Sequence, residues 1–173
     1  MSLLAWSSPA STISAARVTG FGPKDPSWSV VNDGVMGGVS SSTFVQRGGI
    51  GSFRGSVRLE NNGGFASVRS GSLFGSFPED ATGYRLRVFG DAKAYQFTVD
   101  TGTSWFWFTF TPPKGKWTTI VAPFADFAPV TRFGEPTGDP PLTSTDRPLR
   151  IGFLISNKRA ERFALQVDWI DVG

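Results

Sequence analysis

No stretch of ten or more residues in this chain carries its apolar side chains at the 3.6-residue spacing of an amphipathic helix. Alternation recurs instead. Tyr84, Leu86 and Val88 fall on one side of a strand with Arg85 and Arg87 on the other, and Tyr95, Phe97 and Val99 alternate with Gln96, Thr98 and Asp100. Val39–Gln46, Ser52–Leu59, Phe65–Arg69, Trp105–Thr111, Trp117–Val121, Leu149–Ser156 and Phe163–Val172 also read as strands. In the last of these, Phe163, Leu165, Val167 and Trp169 are expected to share a face, opposite Gln166 and Asp168. Turn signals separate the segments: Arg47–Gly51 and Asn61-Asn62-Gly63-Gly64 read as hairpin turns, and Gly90-Asp91 and Pro112–Gly115 end the strands before them. About ten short strands so punctuated predict an all-β sandwich, of jelly-roll or immunoglobulin-like type.

Composition narrows the chemistry. The 173 residues suit one domain, and twenty-four aromatic side chains can build its core without staples. There is no cysteine and no histidine, which removes disulfides, thiolate and imidazole metal sites, Cys nucleophiles and His-based triads. Asp33, Asp91, Asp100 and Asp168 remain as acids, but no spacing pairs them, so no enzyme and no catalytic residue is expected. No cofactor and no metal site is assigned; a structural calcium would need only oxygen ligands. The net charge is +3, with Lys and Arg dispersed along the chain, so no nucleic-acid partner is expected. No apolar run approaches the ~20 residues of a membrane helix, so no membrane insertion is expected. Leu3-Leu4-Ala5-Trp6 lacks the basic start of a signal peptide, which predicts a cytoplasmic bacterial protein if the N-terminus is native. Residues 1–26 read as a mobile leader or a short edge strand around Ile13–Val18, and residues 27–173 as the domain. The span Ala125–Pro148 has no period and reads as a long loop.

The most unusual stretch is Trp28–Thr43. Asn32-Asp33-Gly34 is a turn signal, and Gly37-Gly38 follows two residues later. Val35 and Met36 between them are apolar, so the loop is expected to tuck its middle inward. Asn32 and Asp33 are expected to cap backbone N–H groups within the turn rather than to bind a ligand.

Trp28-x-x-Val-Asn32-Asp33-Gly34-Val-Met36-Gly37-Gly38-Val-Ser40 resembles the signature of the CIA30 family, the complex I intermediate-associated protein 30 domain. Later blocks agree in order: Asn62-Gly63-Gly64-Phe65, Gly90-Asp91 with Tyr95, Trp117 with Pro123-Phe124, and Ile151-Gly152-Phe153. The resemblance spans roughly Trp28 to Val172. It implies a galactose-binding-domain-like jelly roll, similar in architecture to carbohydrate-binding modules. It also implies a role like that of the family's mitochondrial members, assembly factors for NADH:ubiquinone oxidoreductase, or of relatives in photosystem biogenesis. Protein partners, including subunits of a membrane complex during assembly, follow from that reading. A carbohydrate-binding module with a glycan partner is the alternative.

The binding residues expected on either reading are Trp105, Phe106, Trp107 and Phe108. Alternate members of that run must point to opposite faces, so one pair is expected in the core, and the other either stacks on a sugar, anchors a protein or is covered by loops. Arg69, Arg85 and Arg87 are expected to form a basic strip on one sheet face, which either meets an acidic partner or is simply solvated.

Overall fold

The computed structural model describes residues 15–74 and 77–173. Among these residues twelve strands form two six-stranded sheets. The first runs in the order β3 (Ser41–Arg47), β4 (Ile50–Val57), β12 (Glu161–Val172), β6 (Gly83–Phe89) and β9 (Trp117–Pro123), with β1 (Ala16–Thr19) paired to the end of β12. The second runs β10 (Ala128–Val130), β8 (Trp105–Phe110), β7 (Tyr95–Asp100), β11 (Arg150–Ile155), β5 (Ala66–Ser70) and β2 (Trp28–Asn32). Every one of these pairings is antiparallel. The all-β sandwich read from the alternation is the fold, and of the two types left open there it is the jelly roll that the family resemblance implies.

The core lies where the inner faces meet. Leu86, Val88, Phe53 and Leu165 of the first sheet and Val68, Tyr95, Phe97 and Phe153 of the second are wholly buried. Rings interlock across the gap, with Tyr84 edge-on to Phe97 at 5.2 Å. Each such side chain contributes on the order of 1.5–3 kcal/mol of burial. Phe21 and Trp28 close one side of the sandwich against Phe44 and Phe153, at ring separations of 5.2 to 6.0 Å.

Four expectations change. Trp28–Asn32 is not loop but the edge strand β2, whose three β-branched or aromatic members pair with β5. The Asn61–Gly64 turn is not a hairpin, because β4 and β5 belong to different sheets; positive φ at Asn61 (57°), Asn62 (58°) and Gly64 (135°) carries the chain from one to the other. The long loop contains β10. In β12 the register with β6 shifts between Val167 and Trp169, so Ile170 and Val172 turn into the core and Trp169 turns out. The strand Ala16–Thr19 occupies part of the expected leader, while Ile13 lies outside the described residues.

Candidate functional site

Asp33 opens a four-residue 3-10 turn, Asp33–Met36, at the end of β2, and its carboxylate is completely buried. It is not left unpaired. The Ser40 amide donates to it at 2.9 Å, the Gly64 amide at 2.7 Å and the Phe65 amide at 3.4 Å, and the Ser40 hydroxyl donates as well. Burial pushes the carboxyl pKa up, but the Ser40 hydroxyl and the three amides outweigh it and hold the group below its ordinary value. The side chain does accept from backbone N–H groups, but not within the turn as expected: Ser40 lies seven residues on, and Gly64 and Phe65 lie 31 and 32 residues away. Asn32 accepts from the Ser42 hydroxyl at 2.7 Å, tying β2 to β3.

The two most specific motif blocks are therefore halves of one device: Asp33 comes from the first and Gly64-Phe65 from the second. The glycines follow from crowding around the carboxylate. A Cβ on Gly38 would sit 2.4 Å from Asp33 Cγ, and one on Gly63 would sit 2.6 Å from Asp33 Oδ2. Gly37 has φ 87° and closes the 3-10 turn in the left-handed region. Gly34 meets no such constraint.

The apolar middle of this loop runs opposite to expectation. Val35 is 76% exposed and Met36 53%, and neither is buried under the backbone. The knot takes up the space beneath the turn, so residues on its far side have only solvent to face. Val39, at 47%, and Leu59, which packs by Gly64, are exposed as well.

Gly90 and Asp91 build a second knot. Asp91 accepts from the Tyr95 hydroxyl at 2.9 Å and from the Ala164 amide at 2.9 Å, locking the β6–β7 turn to β12. Burial, the Asp91 charge and that hydrogen bond all push the Tyr95 pKa up. Gly90 has no room for a Cβ against Pro112. Trp117 is half-buried at the outer edge on β9, packed on Phe89 at 5.6 Å.

In the aromatic strand β8, Phe106 and Phe108 join the core, the latter against Phe127 at 5.5 Å. Trp105 and Trp107 point to the outer face, in register with Asp100 and Thr98 of β7 and, beyond them, Arg150 and Gly152 of β11. The turn after β10 folds over Trp107 so closely that a Cβ on Gly134 would lie 2.2 Å from its ring. Trp105 instead lines a cavity of about 450 Å³ between that turn and the β7–β8 loop, with Val130, Arg132, Phe133 and Glu135. Arg69 shares this outer face with the Arg150–Asp100 ion pair. Its pKa is lowered by burial and by Arg132 and Arg150, with Asp100 opposing.

Arg85 and Arg87 lie on β6, in the other sheet. Arg69, Arg85 and Arg87 therefore do not form one strip; the sandwich places them on opposite outer faces.

The sequence model of the Complex I intermediate-associated protein 30 (CIA30) family matches residues 20–167. The chain belongs to that family. Searches of curated proteins found no match. The CIA30 chain shares its architecture with solved carbohydrate-binding modules. The family 11 module of the Clostridium thermocellum cellulase Lic26A-Cel5E superposes with a TM-score of 0.67 at 17% identity, covering 94% of this chain and 95% of that one. The Clostridium thermocellum family 11 module in complex with a β-1,3-1,4-mixed-linked tetrasaccharide gives 0.62 at 16%, covering 91% and 94%. A family 29 module complexed with cellulohexaose gives 0.56 at 12%, covering 92% and 89%. At these identities the likeness is one of fold.

Among the described residues no three acidic side chains converge as a cation site. The Asp33 and Asp91 oxygens are taken up by N–H and O–H donors, which a metal would have to displace. No helix among the described residues is long and apolar enough to cross a membrane.

Proposed function

We propose that this CIA30 domain is a non-catalytic protein-interaction module that assists assembly of a larger complex, of respiratory complex I type or photosynthetic, and that it makes contact through the loop Asp33–Val39. The observation that carries the reading is the inversion at Val35 and Met36. A buried carboxylate and a set of close-packed glycines fix a turn whose apolar side chains are then presented to water. Such side chains stabilise nothing in the free domain, whereas burial by a partner would contribute on the order of 1–3 kcal/mol each. Because the loop is already ordered, binding would not have to fix it.

The test is affinity capture from the native organism with the parent chain and with Val35→Asp/Met36→Asp. The parent should recover subunits of a membrane complex in near-stoichiometric amount, and the double variant, with an unchanged melting temperature, should lose them. Recovery of the same proteins by both chains, or of none by the parent, overturns the reading.

Trp105 supports a second one. It stands beside the Asp100–Arg150 pair at the mouth of a cavity, on a fold shared with modules solved in complex with cellulohexaose and with a β-1,3-1,4-mixed-linked tetrasaccharide. A glycan array followed by calorimetry would decide it: binding abolished by Trp105→Ala supports a sugar site, and silence at millimolar ligand removes it.

A further inference from the structure

Chain order scatters the basic residues, but strand register gathers them. On the outer face of the β3-β4-β12-β6-β9 sheet, Arg54 lies opposite Thr43 and Ala164, and Arg162 lies opposite Ser56. Arg85 lies opposite Asp171 and Val121, Arg87 opposite Trp169 and Thr119, and Arg17 opposite Asp171, with Arg47 at the end of β3. Six arginines and no lysine face Asp168 and Asp171 alone, a local charge of +4. The rest of the chain, with eleven basic and twelve acidic residues, carries −1. The whole positive excess of the protein therefore sits on one face.

The two aspartates are already engaged, Asp171 with Arg17 and Asp168 with Arg87. Arg47, Arg54, Arg85 and Arg162 are exposed and have no ion pair among the described residues. Edge protection does not account for them. Arg54, Arg85 and Arg162 lie on the inner strands β4, β6 and β12, and only Arg47 is on an edge. Arg54 and Arg162 are diagonal neighbours on paired strands, a like-charge placement that costs stability without an anion.

We propose that this face binds an acidic segment of the protein partner. The inference rests on the protein-interaction reading above and extends its surface: the row Ser41–Ser56–Arg162 begins directly after Val39 and Ser40 of the signature loop. Arginine forks match carboxylates bidentately, and Ser41, Ser52, Ser56 and Thr43 between them leave the face low enough for an extended chain. A single-stranded nucleic acid fits less well, because the guanidinium groups of Arg17 and Arg87 already cover Trp169 and Trp117, at 5.0 and 5.9 Å from the ring centroids. Among the described residues a bilayer would find only Val45 and Val121 as exposed large apolar contacts on this face.

The probe is fluorescent poly-L-glutamate, titrated at low and physiological salt beside single-stranded poly-U RNA and vesicles containing phosphatidylserine. Poly-glutamate should bind tightest, weaken with salt, and lose about tenfold or more in affinity with Arg54→Glu/Arg162→Glu or Arg54→Gln/Arg162→Gln. The off-face control Arg147→Glu/Lys158→Glu should bind as the parent does. The Val35→Asp/Met36→Asp chain should lose only its captured proteins and keep most of its poly-glutamate affinity, so the two readings fail separately. Absent poly-glutamate binding, equal loss in the off-face control, or tighter binding of RNA or vesicles would overturn the proposal.

Discussion

At the scale of single residues, Asp33 decides the most. Its stabilising bonds belong to the ionised carboxylate, and its pKa in the folded chain lies below the ordinary 3.8. The sign follows: this contribution is complete above the unfolded pKa and is lost as pH falls through the lower folded one. Asp33→Asn offers one acceptor oxygen where four donors converge, and should cost about 3 kcal/mol at pH 7. Urea unfolding at pH 7 and at pH 3 should show that difference shrinking in acid; a constant gap would mean that folding leaves the Asp33 pKa unchanged, and a gap that widens in acid would mean that Asp33 is neutral in the native state. Neighbouring glycines should separate by mechanism. Gly37→Ala meets only its positive φ and should cost about 1 kcal/mol, whereas Gly38→Ala drives a methyl into the Asp33 carboxylate and should cost about twice that or more. Equal melting temperatures for the two variants would contradict the crowding. The sequence showed that these residues are special but not why. Asp33 finds Gly64 and Phe65 only after the chain has crossed between sheets, and nothing in local spacing announces a bond over 31 residues.

At the scale of elements, period two was readable wherever a strand ran without interruption. Tyr84, Leu86 and Val88, like Tyr95, Phe97 and Val99, face inward as their alternation requires. It failed at the β12 bulge, because one extra residue reverses every side chain after it and leaves the alternation before it unchanged. The reversal has a measurable consequence. Ile170→Ala should cost about 2–4 kcal/mol as a core truncation, while Trp169→Ala should cost about 1 kcal/mol despite removing the larger side chain. Chemical denaturation of both variants checks this, and the reverse order would place Trp169 inside. The turn Asp33–Met36 lay beyond sequence reading for another reason. Four residues are too few to set up a period, so the apolar character of Val35 and Met36 could not say which way they point. The aromatic run was legible as two faces, but the folding of Gly134 over Trp107, which leaves Trp105 at the cavity, depends on a turn 27 residues downstream.

At the scale of the whole molecule, charge was the least legible property, since a uniform scatter of arginines along the chain becomes a one-sided field once register is set. That field acts on stability as well as on binding. Arg54 and Arg162 are diagonal neighbours, exposed and without an ion pair, so their mutual repulsion opposes folding at low ionic strength. Arg54→Gln/Arg162→Gln should therefore melt at a higher temperature than the parent in dilute buffer. The advantage should fade as salt is added and be nearly gone at about 1 M, where the Debye length is ~3 Å and exposed charges no longer sense one another. Comparing variant with parent at each salt concentration cancels the screening of ion pairs elsewhere, such as Arg58–Glu60. A variant less stable than the parent in dilute buffer would show that the arginines already help one another through the paired aspartates. The face would then be a balanced surface with no deficit of anions for an acidic partner to fill.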